Sequence, residues 1–559
     1  MKKKIRMILA IIIIALGIPI FCNAYEVDYS INLNDLSNIK TYATEEELKT
    51  AESIEEVYIT NFLYDGVSAV KDYDLDDYIE ANSNDIEVKK IDIKVINIHK
   101  AGNIEITGNI KGGMIAINTN GIAGNLNIYL KDVSIDTDSK KMPAIYVYNK
   151  DINYADCKVT IIPVENSKNY IEGGRLKKVS LMPKEALESY ASYYTNDNLT
   201  NYNTYSNYYG IYTTEEMANI LFATVKADQE KLMDGDPYFY YKAAGAISSD
   251  IDIYFEGKGK LEVKSKNKEG IEGKGNIQLI GKTGEYIINS YDDCINTTTD
   301  ENSSITSVYK NDILINVKSL IAIVDSGEDS DEGDAIDSNG MLTIDGGNIL
   351  AIAHPGQDSG LDSNKGIYIN GGTIIATGDM YDEIKNVSRQ QFIALNFAGI
   401  EQAETIVVIQ DSEEQNIMAY KSDRPFSSLV YSSDKLKDET YKVFVNGKME
   451  GKETNGIYEN ITSYAGGAKQ QWTSIGNMGM GPKGGPGQRQ NTAKGSTDFT
   501  LSTDTHVFSG VSNESALDDI VKTSTTGLTI TEKQVIAIAS IIVIILLMIA
   551  FTLIFRKKK

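Results

Sequence analysis

One short pattern recurs five times between residues 246 and 372 and sets the strongest limit on the fold. Each copy opens with a small, an aliphatic and a polar residue, and four of the five run through a turn into an alternating strand. The copies are AISSDIDIYF, GIEGKGNIQLIG, CINTTT, AIDSNGMLTIDGG and GLDSNKGIYINGG. Their aliphatic residues, Ile247, Ile271, Ile295, Ile336 and Leu361, lie 24, 24, 41 and 25 positions apart. The long interval holds one repeat plus the polar insertion TTTDENSSITSVYKND.

A repeat of this length without helical periodicity predicts one turn of a right-handed parallel β-helix per copy. A propeller blade needs about 40 residues, and a leucine-rich repeat has a Leu/Asn pattern that is missing. Residues 89–450 show alternating β-branched residues separated by Gly, Asn and Asp, a pattern that predicts short strands joined by tight turns. A Tyr/Asn-rich insertion at 190–209 interrupts it. We therefore predict an all-β solenoid at 89–450, preceded by an acidic N-terminal segment at 25–88.

The two ends of the chain predict export and membrane anchoring. Residues 1–24 combine a lysine-rich start, an apolar run and a small terminal residue, the pattern of a secretory signal peptide. Residues 535–555 are uncharged, long enough for one transmembrane helix, and precede a basic cytoplasmic tail at 556–559. The Gly-rich stretch at 451–534, with its lone Trp472, favours a flexible spacer. We expect a single-pass protein of the cell membrane with its N-terminal domain on the cell surface.

The charge of the chain limits its partners. The net charge is −24, and because the two ends carry eight basic residues and no acid, the remainder carries −32. Such a surface disfavours nucleic acid and anionic membrane, whereas divalent cations suit it. The two cysteines beyond residue 24, Cys157 and Cys294, are too far apart in strand-like runs to suggest a disulfide framework.

Stacked repeats turn sequence positions into columns of side chains about 4.8 Å apart. The position after the aliphatic residue is polar in every copy and acidic in three, being Ser248, Glu272, Asn296, Asp337 and Asp362. Further acids stand two or three positions before the aliphatic residue in the last four copies. They form two adjacent columns at one corner, and the predicted metal ligands are Glu269, Glu272, Asp292, Asp293, Asp334, Asp337, Asp358 and Asp362. Crowded carboxylates repel unless they reach water or cations, and Ca²⁺ takes six to eight oxygen ligands. Asp and Asn also favour tight turns by themselves, so an acid taken singly favours a turn role, whereas the column as a whole favours calcium.

The segments AIDSNGMLTIDGGNILAIA and GLDSNKGIYINGGTIIATG, with GIEGKGNIQLIG before them, resemble the carbohydrate-binding β-helix proteins of anaerobic bacterial surfaces. The resemblance extends over roughly residues 88–450, ending at DRPFSSLVYSSDKLKDETYKVFVNG. It implies a pectate-lyase-like right-handed β-helix that binds acidic polysaccharide such as polygalacturonate, with bound calcium. By motif position it implies Asp334, Asp337, Asp358 and Asp362 as calcium or sugar ligands.

Two other function classes remain open from the sequence. A polysaccharide lyase or hydrolase on the same fold needs an acid–base pair, and only His354 among the histidines lies near the acidic corner. A surface adhesin without a small ligand needs no such pair. For a carbohydrate-binding protein, Asp337, Asp362 and two tyrosines of the insertion, Tyr193 and Tyr194, are the predicted sugar contacts.

Overall fold

The computed structural model describes residues 25–42, 56–60, 93–138, 143–149, 156–173, 175–181, 239–265, 269–298, 310–325, 333–355, 358–475 and 495–511. These residues form 36 strands and no helix, so the fold is all-β as predicted. No helix long and apolar enough to cross a membrane occurs among them. The predicted signal peptide at 1–24, the insertion at 190–209 with Tyr193 and Tyr194, and the predicted transmembrane segment 535–555 all lie outside the described residues.

The strands of the first half are β1 (Tyr29–Asn32), β2 (Thr41–Tyr42), β3 (Val57–Thr60), β4 (Lys94–Ile98), β5 (Gly102–Lys111), β6 (Gly113–Asn118), β7 (Gly124–Asp136), β8 (Ile145–Tyr148), β9 (Cys157–Pro163), β10 (Lys168–Gly173), β11 (Arg175–Leu181), β12 (Phe239–Ala244), β13 (Ile247–Ser249), β14 (Ile253–Phe255), β15 (Lys260–Ser265), β16 (Ile271–Gly273), β17 (Ile277–Leu279) and β18 (Glu285–Ser290).

The strands of the second half are β19 (Ile295–Thr297), β20 (Ile313–Val324), β21 (Ile336–Ser338), β22 (Leu342–Ile352), β23 (Asp362–Ser363), β24 (Ile367–Ile369), β25 (Thr373–Gly378), β26 (Phe392–Glu401), β27 (Ile406–Gln410), β28 (Asn416–Lys421), β29 (Phe426–Ser432), β30 (Thr440–Val445), β31 (Lys448–Thr454), β32 (Ile457–Ala465), β33 (Ala468–Lys469), β34 (Trp472–Ser474), β35 (Phe499–Thr500) and β36 (Val507–Gly510).

Two large sheets dominate the described part of the chain. A ten-stranded sheet runs β2-β3-β4-β6-β8-β13-β16-β19-β21-β23, and its neighbours are parallel except for β3 and β4. A seventeen-stranded sheet contains the other strands of each repeat, also mainly in parallel. Strands of both sheets therefore come from each repeat in turn.

The parallel register confirms the predicted alignment of the repeats. Ile247 pairs with Ile271, Ile271 with Ile295, and Ile295 with Ile336. All four side chains are 0% exposed and belong to one apolar cluster, to which both large sheets contribute residues. Period-two alternation produces this arrangement: in β15, Leu261 and Val263 are buried between partly exposed Lys and Glu side chains.

Asp and Asn side chains tie successive repeats together at one turn. Asp252 Oδ1 accepts the main-chain N–H of Asn276 at 2.7 Å, and Asn276 Oδ1 accepts that of Asp312 at 2.9 Å. Asp312 Oδ1 then accepts the N–H of Met341 at 2.8 Å. At this turn, side-chain oxygens satisfy main-chain donors that the strands leave unpaired, which is a structural role.

Two domain boundaries differ from the sequence prediction. Strands β1 and β3 join the large sheets, so the β-structure begins upstream of residue 89. The flexible spacer predicted over 451–534 is wrong for its described parts, because 451–475 and 495–511 contain strands. Trp472 is 2% exposed in a second apolar cluster, where its ring packs edge-on against Phe397. The glycine-rich composition around Trp472 led the sequence analysis to predict a spacer, so the packing of this residue was not foreseen.

The second cluster covers one end of the seventeen-stranded sheet. An antiparallel sheet of seven strands, which contains β27, β28 and β30 to β33 and is extended by β35, contributes Val407, Tyr420 and Val443 to it. Leu350, Ile352 and Ile375 contribute from the outward side of the parallel strands. Cys157 and Cys294 are free and buried, as the sequence predicted.

Candidate functional site

The acid column lies on the outward side of the ten-stranded sheet. Glu272 pairs in register with Asn296, Asn296 with Asp337, and Asp337 with Asp362. Adjacent paired residues on parallel strands are about 4.8 Å apart. The structure thus brings together four of the side chains that the sequence placed in one column, although Asn296 is an amide in place of a carboxylate.

A second line of acids runs beside this column and caps the main chain of neighbouring repeats. Asp293 Oδ1 accepts the N–H of Asp334 at 2.7 Å, and Asp334 Oδ1 accepts the N–H of Ser359. The other oxygen of Asp293 accepts from the Asn296 amide. Each of these carboxylates therefore has a structural partner in an adjacent repeat, so the turn role that the sequence left open is present at these residues.

The acid column and the second line of acids together form what we call the acid cluster. The other predicted ligands lie at its edges. Glu272 is 2% exposed and accepts from the Gly245 N–H at 3.2 Å and the Ser248 hydroxyl at 3.3 Å. Glu269, Asp292 and Asp358 are also buried. Asp358 Oδ2 faces His354 Nδ1 at 3.6 Å, so His354 does lie beside the acidic corner. The sequence reasoning did not place Arg424 here, yet its Nη2 is 3.6 Å from Asp325 Oδ1.

Two further acids, Asp379 and Asp382, extend the cluster by one repeat and escaped the sequence analysis. Ser359 pairs in parallel with Met380, and the N–H of Asp379 donates to the Asp358 carbonyl at 2.9 Å. The main-chain N–H of Ser363 donates to Asp382 Oδ2 at 3.2 Å. Tyr381 fills the aliphatic position at 3% exposure, only 20 residues after Leu361. The motif GDMYDEI was the available signal, but its tyrosine and short spacing break the pattern.

Burial and mutual repulsion shift the titration of these acids. Burial, followed by the charges of neighbouring aspartates, raises the pKa of Asp293 and Asp334 well above the ordinary value. The same two causes raise the pKa of Asp337 to about 7 and that of Asp362 to about 6. The pKa of Asp382 is raised by burial. Without a counter-charge, the cluster therefore holds protons that ordinary aspartates release.

The donor set fits calcium by chemistry, because Ca²⁺ prefers hard carboxylate and carbonyl oxygens. A cation beside the carboxylates would also relieve the repulsion that raises their pKa values. However, within the described ranges no three Asp, Glu, His or Cys side chains meet in a group able to hold a metal ion. A calcium ion at this cluster would therefore need oxygen ligands in addition to the protein's carboxylates.

Comparison with known proteins agrees with a role in sugar binding. A family model described as carbohydrate-binding domain-containing protein matches residues 210–421. That range contains all eight predicted metal ligands and the two additional aspartates, but not Tyr193 or Tyr194. Neither the curated proteins nor the solved structures gave a match. The family match supports carbohydrate binding as the general function and points to binding without catalysis.

Proposed function

We propose that this protein is a calcium-dependent cell-surface receptor for acidic polysaccharide, with polygalacturonate as the representative ligand. The observation that carries the proposal is the register-aligned acid cluster around Asp337 and Asp362, whose pKa values are raised to about 7 and about 6. The parallel stack that presents it is, in this proposal, a right-handed β-helix. The segment 535–555 anchors it in the membrane.

Calcium links two partners that would otherwise repel each other. The chain between its two ends carries −32, so a polyuronate binds only where cations neutralise both surfaces. Because the described residues contain no group of three acidic, imidazole or thiol side chains able to hold a metal ion by itself, the uronate carboxylates and water supply the missing calcium ligands. Protein and polysaccharide therefore share the ion, and sugar affinity depends on calcium concentration.

The test is retention of the purified full-length protein on immobilised polygalacturonate, with calcium and with chelator. We expect retention in calcium, release by chelator, and loss of retention in the double variant Asp337→Asn/Asp362→Asn. Asp504→Asn is the matched control, because Asp504 is an exposed acid of the C-terminal region away from the column. Equal retention with and without chelator, or in the double variant, contradicts the proposal.

The same experiment separates the alternative functions. Release of unsaturated oligosaccharides or new reducing ends from the immobilised polymer would show a lyase or hydrolase. Absence of retention on polygalacturonate and on other acidic polysaccharides would favour the adhesin. Retention without product supports the binding protein.

A further inference from the structure

A second row of side chains, on the seventeen-stranded sheet, has the chemistry of a saccharide-binding face. We call it the tyrosine row, and its members are Tyr254, Gln278, Leu314, Thr343 and Tyr368. Each pairs in register with the next through β14, β17, β20, β22 and β24. Four steps of about 4.8 Å give the row a length of about 19 Å.

The row faces outward, and no other described strand covers it. Its strand neighbours, such as Ile253 and Phe255, are 0% exposed in the core, and alternation points the row residues the other way. All five row residues are partly exposed. The C-terminal antiparallel sheet covers a different part of this sheet, around Leu350 and Ile352.

The polar groups of the row are available to a ligand. The side chains of Tyr254, Gln278, Thr343 and Tyr368 make no hydrogen bond to any described residue, in contrast to the Asp and Asn side chains of the adjacent turn. A hydroxyl, an amide and two phenols therefore offer donors and acceptors side by side. Two rings and Leu314 add apolar area between them.

A lysine fixes the ring at one end of the row. Lys158 Nζ lies 4.1 Å from the centroid of the Tyr254 ring and 3.3 Å from Glu256 Oε1. The ammonium attracts the ring face electrostatically and limits its rotation. The row stops here, because the next residue in register, Thr160, is 2% exposed. Tyr254 is thus a preoriented aromatic surface at the end of a polar row.

Charge selects the class of ligand. The row itself has no charged residue, and Asp252, Glu256 and Asp345 lie on its flanks. The lysines beside its two ends, Lys158 and Lys385, already pair with Glu256 and Glu383. A polyanion would therefore be repelled by the other two flanking acids, whereas a neutral, hydroxyl-rich chain meets matching donors and acceptors. We propose that the tyrosine row binds a neutral polysaccharide without calcium, as a site separate from the acid cluster.

The test uses affinity electrophoresis of the full-length protein through gels containing fully methyl-esterified polygalacturonate, hydroxyethyl cellulose or galactan, all with chelator. We expect retardation by at least one of these neutral polymers. Tyr254→Ala and Tyr368→Ala should each weaken it about tenfold, as loss of an aromatic contact does at binding surfaces. Val387→Ala, at an exposed apolar residue outside the row, should leave it unchanged.

The acid-cluster variant Asp337→Asn/Asp362→Asn separates this proposal from the preceding one. It should keep neutral-polymer binding in full while losing calcium-dependent retention on polygalacturonate. No retardation in any of the three gels overturns the proposal. So does unchanged retardation of the Tyr254→Ala/Tyr368→Ala double variant, once its melting temperature shows that it is folded.

Discussion

The carboxylate of Asp293 accepts the main-chain N–H of Asp334 at 2.7 Å, although the two residues are 41 positions apart in the chain. The bond joins equivalent positions of two successive repeats. Asp334 in turn accepts the N–H of Ser359 in the following repeat. The acids therefore help to hold the stack together while their mutual charge opposes it, and this opposition makes stability sensitive to protons and cations.

Stability of the calcium-free protein should fall as pH rises. Asp337 and Asp362 titrate near 7 and 6 when folded, against about 3.9 in an unfolded chain. Between these values the folded state binds more protons, so the free energy of unfolding decreases with increasing pH. The destabilisation is absent below about pH 4 and complete above about pH 7.

Melting temperatures in chelator between pH 5 and pH 8, at about one-unit steps, measure this effect. We expect a decrease up to about pH 7 that then levels off for the natural sequence, and a flatter profile for Asp337→Asn. Asp504→Asn should keep the full slope. A melting temperature that rises toward pH 8 would show that the carboxylates do not repel one another in the folded chain.

The close stacking of repeats can be tested at Gly270. A Cβ at this position would lie 2.6 Å from the Cys294 carbonyl oxygen and would also overlap Ile288. We expect Gly270→Ala to destabilise the protein by about 1–3 kcal/mol, the usual cost of overpacking. Gly399→Ala is the control, because a Cβ there meets no atom within 4 Å and the change should stay within about 0.5 kcal/mol.

Chemical denaturation of the two glycine variants supplies the comparison. Equal free energies of unfolding for Gly270→Ala and the natural sequence would contradict the register described for β16 and β19. If Gly399→Ala lowers the free energy of unfolding by the same amount, the cost comes from replacing any glycine and not from the close stacking at Gly270.

Trp472 should behave as a core residue. It is 2% exposed, packs against Phe397 and exchanges main-chain hydrogen bonds with Ser496 at 2.7 and 2.9 Å. Trp472→Ala should cost about 3–5 kcal/mol. Trp472→Phe should cost clearly less, because the buried indole N–H has no partner to lose within the described residues. Both values come from denaturant titration, and a neutral Trp472→Ala would restore the spacer interpretation.

The sequence predicted the stacked repeats well because burial enforces a two-residue alternation and a nearly constant period. Ile247, Ile271 and Ile295 could be aligned from their spacing, Ile336 from its motif once the polar insertion was set aside, and the acids beside them followed. Tyr381 broke the rule by filling the core position with an aromatic ring after 20 residues, so Asp382 was missed.

Other parts of the fold and site depend on contacts that no local pattern records. Trp472 is buried by residues distant in sequence, including Phe397 and Phe499, so its Gly-rich surroundings were misleading. Tyr254 and Tyr368 look like ordinary outward residues of two strands. Only the pairing register shows that they belong to one row.

Asp382 provides a test of how far the acid cluster extends. Its charge contributes to the raised pKa values of both Asp337 and Asp362. If it also supplies a calcium oxygen, Asp382→Asn should weaken calcium-dependent binding to polygalacturonate by about tenfold, equivalent to about 1.4 kcal/mol. Asp345→Asn, at an exposed acid on the other large sheet, is the matched control. If the affinity of Asp382→Asn for polygalacturonate is unchanged, Asp382 is not a calcium ligand and the site does not extend beyond Asp362.

The most direct test of the proposed calcium site is a calcium titration of the chelator-stripped full-length protein at neutral pH, measured by isothermal titration calorimetry. We expect saturable calcium binding with proton release, because ions displace the protons held by the raised-pKa carboxyls. The double variant Asp337→Asn/Asp362→Asn should bind at least one ion fewer, while Asp504→Asn should bind the full number. The same number of ions with the same affinity in the double variant would rule out a calcium site at Asp337 and Asp362, as would no calcium binding at all.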